Sequence, residues 1–103
     1  ADVNIRGVAQ RLIEKRLRRN SENLKQLQIE LTLLDEQLAA LSDDANDKEM
    51  RSLVSETPLA LHEFRDAQKH VDALQEQRKY LVRAIAEQKQ NQDDLLDKLG
   101  NKS

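Results

Sequence analysis

The fold is decided by residues 17–41, which read LRRNSENLKQLQIELTLLDEQLAAL. Leucines recur along this stretch at the three- and four-residue spacings of a heptad pattern. They are Leu17, Leu24, Leu27, Leu31, Leu34, Leu38 and Leu41. This spacing keeps one stripe of an α-helix apolar over many turns, as in a coiled coil. The stretch therefore predicts a long amphipathic helix.

A second apolar stripe of the same period follows the only proline of the chain, Pro58. Its members are Phe64, Ala67, Val71, Leu74, Leu81, Ile85, Leu95 and Leu99. Two such helices can cover each other's stripes, so we predict an all-α fold, an antiparallel two-helix coiled-coil hairpin that associates into a helical bundle. The predicted organisation is a single domain of residues 1–103, with helix 1 over about 5–41, a connection over 42–57 and helix 2 over about 58–99.

The connection over residues 42–57 is predicted to be long, because the leucine spacing stops there and Asp and Asn become frequent. Asp47 is a candidate cap for a short helix over residues 48–54. That helix would turn three apolar side chains onto the end of the coiled coil: Met50, Leu53 and Val54. Thr57 and Pro58 suit the N-cap and the first position of helix 2, where the missing N–H of proline is harmless.

Polar residues interrupt both apolar stripes and predict how the helices align. If Leu27 faces Val71, the interruptions of one helix also face those of the other. These polar layers pair Asn20 with Arg78, Gln10 with Gln88 and Arg6 with Gln92. Sliding by one heptad would leave buried polar groups without partners, at roughly 1–3 kcal/mol each. We therefore predict that the polar layers set the register.

The composition favours a structural role. Of the residues, 35% are charged, the formal net charge is -2, and there is no cysteine, so disulfides and thiolate metal sites are excluded. The longest apolar runs are far shorter than the roughly 20 residues that span a bilayer, and we predict a cytoplasmic protein that does not bind membranes. The residues suggest no nucleophile with a base and no phosphate-binding glycine loop, so we expect no enzymatic activity, cofactor, metal or small-molecule substrate. His62, Asp66 and His70 share one helix face, but no fourth metal ligand is evident.

Large apolar residues also lie away from the predicted seam. A hairpin of two helices buries only one stripe of each helix and is marginally stable alone. The outward apolar residues of helix 1 are Ile5, Val8, Leu12, Ile29 and Leu33. We predict a face for self-association or for docking a partner, formed by Ile5, Val8, Leu12, Val82 and Leu96. The alternative is scattered surface apolar residues, which need no explanation. The leading hypothesis is a non-enzymatic protein–protein interaction module, a coiled-coil scaffold or adaptor that binds another protein or its own copy, most simply as a dimer.

Charge is unevenly distributed along the chain. Residues 6–19 carry six basic residues against one acidic residue, whereas residues 42–57 carry five acidic residues against two basic ones. The basic cluster comprises Arg11, Lys15, Arg16, Arg18 and Arg19. Basic side chains along one helix face could contact phosphates. The alternative hypothesis is therefore a nucleic-acid-associated or transcription-related factor that uses this basic stem or an acidic tip from Asp43 to Glu49. A solvated face balanced by neighbouring glutamates is the simpler interpretation.

Overall fold

The computed structural model describes the backbone of residues 2–100 and the side chains of residues 5–100. It contains two α-helices, α1 over Asp2–Ser55 and α2 over Pro58–Gly100. The helices pack against each other, which confirms the predicted all-α two-helix hairpin. Every member of both predicted apolar stripes is buried or half-buried. Within residues 2–100, no helical stretch is both long and apolar enough to cross a membrane.

The prediction of a long connection over residues 42–57 is wrong, because α1 continues without a break to Ser55. The heptad spacing also continues, with small or flexible side chains in place of leucine. Ala45 is buried, while Lys48 and Ser52 are half-buried. The Lys48 ammonium lies 3.0 Å from a carboxylate oxygen of Asp44, and its aliphatic stem can cover the seam. Packing against α2 thus outweighs the low helix propensity of Asp and Asn.

The turn between the helices consists of Glu56 and Thr57. The amide of Glu56 donates to the carbonyl of Ser52 at 3.1 Å, and Glu56 has a positive φ of 51°, a conformation common just after a helix. The Thr57 Oγ1 atom accepts a hydrogen bond from the Ala60 amide at 3.2 Å, and Pro58 is the first residue of α2. The predicted N-cap and helix start are therefore confirmed.

The chain divides into two compact units. The first unit combines Ala1–Ile29 with Arg83–Ser103, and the second unit is Glu30–Val82. Each unit contains a segment of α1 and a segment of α2, and each has its own contacts between the two helices.

The second unit has a buried apolar cluster. Its members are Ala45, Ala67 and Val71, with Leu38 and Leu41 packed against them. Val71 thus packs near Leu41, whereas the predicted register places it against Leu27, two heptads away. Arg78 does not pair with Asn20, because its Nε atom donates to Asp35 Oδ1 at 2.7 Å. The predicted alignment is therefore wrong by two heptads. α1 extends beyond its predicted end by the same number of residues.

The first unit holds a buried polar residue, Asn20, which is 6% exposed. Its Nδ2 atom donates a hydrogen bond to the main-chain carbonyl of Gln88 on α2 at 3.0 Å. Gln10 is exposed, and its side-chain amide donates to Glu14 on the same helix at 3.3 Å. The predicted layers of Asn20 with Arg78 and of Gln10 with Gln88 are therefore wrong. Asn20 donates to a main-chain carbonyl rather than pairing with a side chain, and Gln10 forms its hydrogen bond within α1.

Candidate interaction surface

All five residues of the predicted partner face are exposed. Ile5, Val8, Leu12 and Leu96 belong to the first unit, and Val82 belongs to the second unit. Ile5, Val8 and Leu12 lie on successive turns of α1. Their accessibility is a precondition for docking, while docking itself stays a prediction.

The first turns of α1 extend past the described part of α2. Lys98 lines the same groove as Arg16, and α2 ends two residues later at Gly100. Residues 5–11 of α1 consequently have no described α2 residue beside them. Arg6 and Gln10 hold seam positions in this extension, and both are exposed.

The side of α1 that faces away from the α2 seam carries a second row of residues at three- and four-residue spacings. We call this row the outer stripe, and every member is exposed. In the first unit the outer stripe comprises Ile5, Val8, Leu12, Lys15, Arg19, Glu22, Gln26 and Ile29. In the second unit it comprises Leu33, Glu36, Ala40, Asp43, Asp47, Met50 and Val54. The outer stripe thus alternates between apolar and charged segments.

The corresponding outward positions of α2 are mostly polar. They are Leu59, His62, Asp66, Lys69, Ala73, Glu76, Tyr80, Arg83, Glu87, Gln90, Asp94 and Asp97. Leu59 and Tyr80 are the large apolar residues among them, and each is 67% exposed. The two helices therefore differ, because the described outward side of α1 carries seven large apolar residues and that of α2 carries two.

The turn end of the hairpin is apolar. Met50, Leu53 and Val54 are exposed, as is Leu59 at the start of α2, so the prediction that the first three fold onto the end of the coiled coil is wrong. Because α1 is continuous to the turn, these side chains project from its last turns rather than from a separate helix. The acidic residues between positions 43 and 49 lie inside α1, and the predicted acidic tip is also wrong.

The basic cluster lies in the first unit, and all five of its members are exposed. Within residues 5–100, none of them lies within ion-pairing distance of a carboxylate. Two members, Arg16 and Arg19, line an open groove between the helices of this unit. The groove is also lined by Lys98, by the amide side chains Asn20, Asn23, Gln88 and Asn91, and by Asp94 and Leu95. The groove therefore presents three cations and one carboxylate.

The histidine-containing face of α2 holds one close pair. His62 Nε2 lies 3.1 Å from Asp66 Oδ2, and both side chains are exposed. Across the described residues, no group of three or more His, Cys, Asp or Glu is arranged to hold a metal ion. The pair is therefore described as a surface contact along one helix.

Comparisons with protein-family models, with curated proteins and with solved structures give no significant match for this chain.

Proposed function

We propose that this chain is a non-enzymatic protein–protein interaction module, a coiled-coil scaffold or adaptor that binds helices along the outer stripe of α1. The observation that carries the proposal is the difference between the outward sides of the two helices. Seven large apolar side chains of the outer stripe are each at least 48% exposed, and they are Ile5, Val8, Leu12, Ile29, Leu33, Met50 and Val54.

The spacing of these residues supports a helical partner. Apolar side chains at three- and four-residue intervals form a row that another helix can cover, and scattered surface residues would not share that period. A helix with apolar rows on two sides is typical of a position between two neighbours in a bundle. In this proposal α2 is one neighbour of α1 and the partner supplies the other.

Stability gives a second reason. Fully burying one large apolar side chain is worth about 1.5–3 kcal/mol, and a two-helix hairpin buries few of them. A partner on the outer stripe would add burial that the isolated hairpin lacks. The proposed module therefore gains stability when it binds.

Affinity capture from the native cell tests the proposal. The bait is the tagged chain, compared with I29E/L33E, which puts charge into the middle of the outer stripe. We expect the wild-type bait to retain a defined protein, either its own untagged copy or another chain, and I29E/L33E to lose it. Y80E is the control, because Tyr80 is an exposed large side chain on the outward side of α2, and this variant should retain the same protein. The proposal fails if I29E/L33E retains the same set of proteins as the wild type while circular dichroism shows it folded.

A second candidate function is binding of nucleic acid along the basic cluster. The groove that brings Arg16, Arg19 and Lys98 together favours it, since three cations on one surface can contact phosphates. Fluorescence anisotropy with labelled single-stranded and duplex oligonucleotides tests it. Binding that weakens log-linearly with salt and is lost in R16E/R19E would support this function, and no binding at low salt would refute it.

The proposed setting is the cytoplasm, the default for a chain with this charged composition. Cell fractionation with an antibody against the chain checks this part of the proposal, and recovery in a secreted or membrane fraction would contradict it.

A further inference from the structure

We infer that the partner of the outer stripe is a second copy of this chain, with the two α1 helices antiparallel. This inference rests on the proposed function, because it names the occupant of the same surface. The order of residues along the outer stripe carries it. The first unit presents an apolar segment, two cations, Glu22 and Gln26, and then Ile29. The second unit presents Leu33, then Glu36 and Ala40, two carboxylates and an apolar segment.

An antiparallel alignment pairs each outer-stripe residue of the first unit, from Val8 to Ile29, with one of the second unit. When the first unit of one copy lies along the second unit of the other copy, and Ile29 faces Leu33, seven layers follow at heptad spacing. They pair Ile29 with Leu33, Gln26 with Glu36, Glu22 with Ala40, Arg19 with Asp43, Lys15 with Asp47, Leu12 with Met50 and Val8 with Val54. Large apolar residues meet large apolar residues, cations meet carboxylates, Glu22 meets the small side chain of Ala40, and no layer pairs like charges.

The charged side chains are accessible for these contacts, and Arg19 also lines the groove between the helices of the first unit. Lys15, Arg19, Asp43 and Asp47 are all exposed, and within residues 5–100 none of the four is in an ion pair. Because two-fold symmetry repeats each contact, the dimer contains four such ion pairs and six apolar layers.

The neighbouring alignments are worse. A slide of one heptad in one direction would set Ile29 against Gln26, Leu12 against Asp43 and Val8 against Asp47. A slide in the other direction would set Leu33 against Glu36 and Glu22 against Asp47. Both slides leave large apolar residues, such as Leu12 or Leu33, against carboxylates.

A parallel dimer in register is also disfavoured. It would set each cation of the outer stripe beside its own copy, and each acid beside its own copy. Like charges in adjacent layers are destabilising. The charge pattern therefore favours the antiparallel arrangement.

A charge exchange tests the inference directly. K15E/R19E and D43K/D47K should each weaken self-association on the order of a hundredfold, because four attractive contacts become repulsive. Mixed together, the two variants should form a heterodimer about as tight as the wild-type dimer, since every charged layer is again attractive. Sedimentation velocity with one variant labelled measures each mass.

The matched control is K69E/R83E, which changes two cations on the outward side of α2 and should leave the dimer unchanged. Failure of the mixture to restore association, or equal weakening by the control, would overturn the inference.

Cysteine cross-linking provides an independent measurement, because the chain contains no cysteine. I29C mixed with L33C should form a disulfide between copies at least tenfold faster than I29C mixed with Q26C, which reports the alignment displaced by one heptad. Equal rates would overturn the inference.

A wild-type chain that stays monomeric at tens of micromolar would also overturn the inference. If that monomer still captures another protein that I29E/L33E loses, the proposed function stands and only the identity of the partner is wrong. If the wild-type chain neither self-associates nor captures another protein, both the inference and the proposed function are wrong.

Discussion

The side chain of Asn20 reaches across the first unit to the main chain of α2, where its Nδ2 atom lies 3.0 Å from the carbonyl oxygen of Gln88. Asn20 is the buried polar residue of that unit, and its amide hydrogen bond ties a side chain on one helix to the backbone of the other. A buried asparagine of this kind can fix the alignment of a coiled coil at some expense of stability.

Replacing the side-chain amide of Asn20, which donates this hydrogen bond, with a carboxylate should be strongly destabilising. We expect N20D to lower the free energy of unfolding by about 3 kcal/mol at neutral pH, since a buried carboxylate would face a carbonyl oxygen. The deficit relative to wild type should shrink in mild acid, where the protonated carboxyl group can donate again. Urea unfolding followed by circular dichroism at both pH values measures this. N23D changes an exposed asparagine and is the control, so an equal loss in both variants would contradict the prediction.

Disulfide formation between introduced cysteines tests how the two helices align in the second unit. We expect L41C/V71C to form an intramolecular disulfide under mild oxidation, because both side chains belong to one apolar cluster and disulfides require close Cβ atoms. L27C/V71C, which reports the alignment suggested by the polar layers, should keep free thiols. Thiol titration and intact mass distinguish the two results, and the reverse result would show that the alignment is wrong.

Glycine substitutions at Glu56 in the turn and at Glu49 in α1 should change the free energy of unfolding in opposite directions. E56G should raise the free energy of unfolding by about 0.5–1 kcal/mol, because Glu56 has a positive φ that glycine adopts without strain. E49G, in the interior of α1 at an exposed position, should lower it by about 1 kcal/mol. Thermal unfolding of both variants provides the comparison. Shifts of the same sign would contradict the described turn.

The ion pair between Arg78 and Asp35 should contribute little despite its 2.7 Å separation. Both side chains are nearly half exposed, and exposed pairs are typically worth about 0.2–1 kcal/mol. A double-mutant cycle with R78A and D35A should give a coupling energy in that range, and it should decrease at high salt. A coupling energy well above this range, insensitive to salt, would mean that the pair is shielded from solvent.

The apolar stripes could be predicted from the sequence because the heptad period is a local property. Leu34 and Val71, for example, are buried as their spacing indicates. The end of α1 was harder to predict, since the leucines stop at Leu41 and acidic residues follow. The heptad pattern beyond Leu41 is weak but present, because Ala45 and Lys48 occupy the next heptad positions without being leucine.

The partner of Asn20 could not be predicted, for a physical reason. Every residue of a helix offers a carbonyl, so an acceptor such as that of Gln88 leaves no mark in the side-chain sequence. Of the candidate surface, Ile5, Val8 and Leu12 followed from their spacing. The exposed state of Met50 did not, because it depends on where α1 ends.

The turn at Glu56 and Thr57 has a kinetic consequence. Contacts beside the turn close short loops, whereas the bond from Asn20 to Gln88 joins residues 68 positions apart, and the entropy lost on loop closure grows with loop length. Folding is therefore expected to begin at the turn and to propagate toward the chain ends. Since the Asn20 contact then forms after the transition state, its loss should accelerate unfolding and leave the folding rate nearly unchanged.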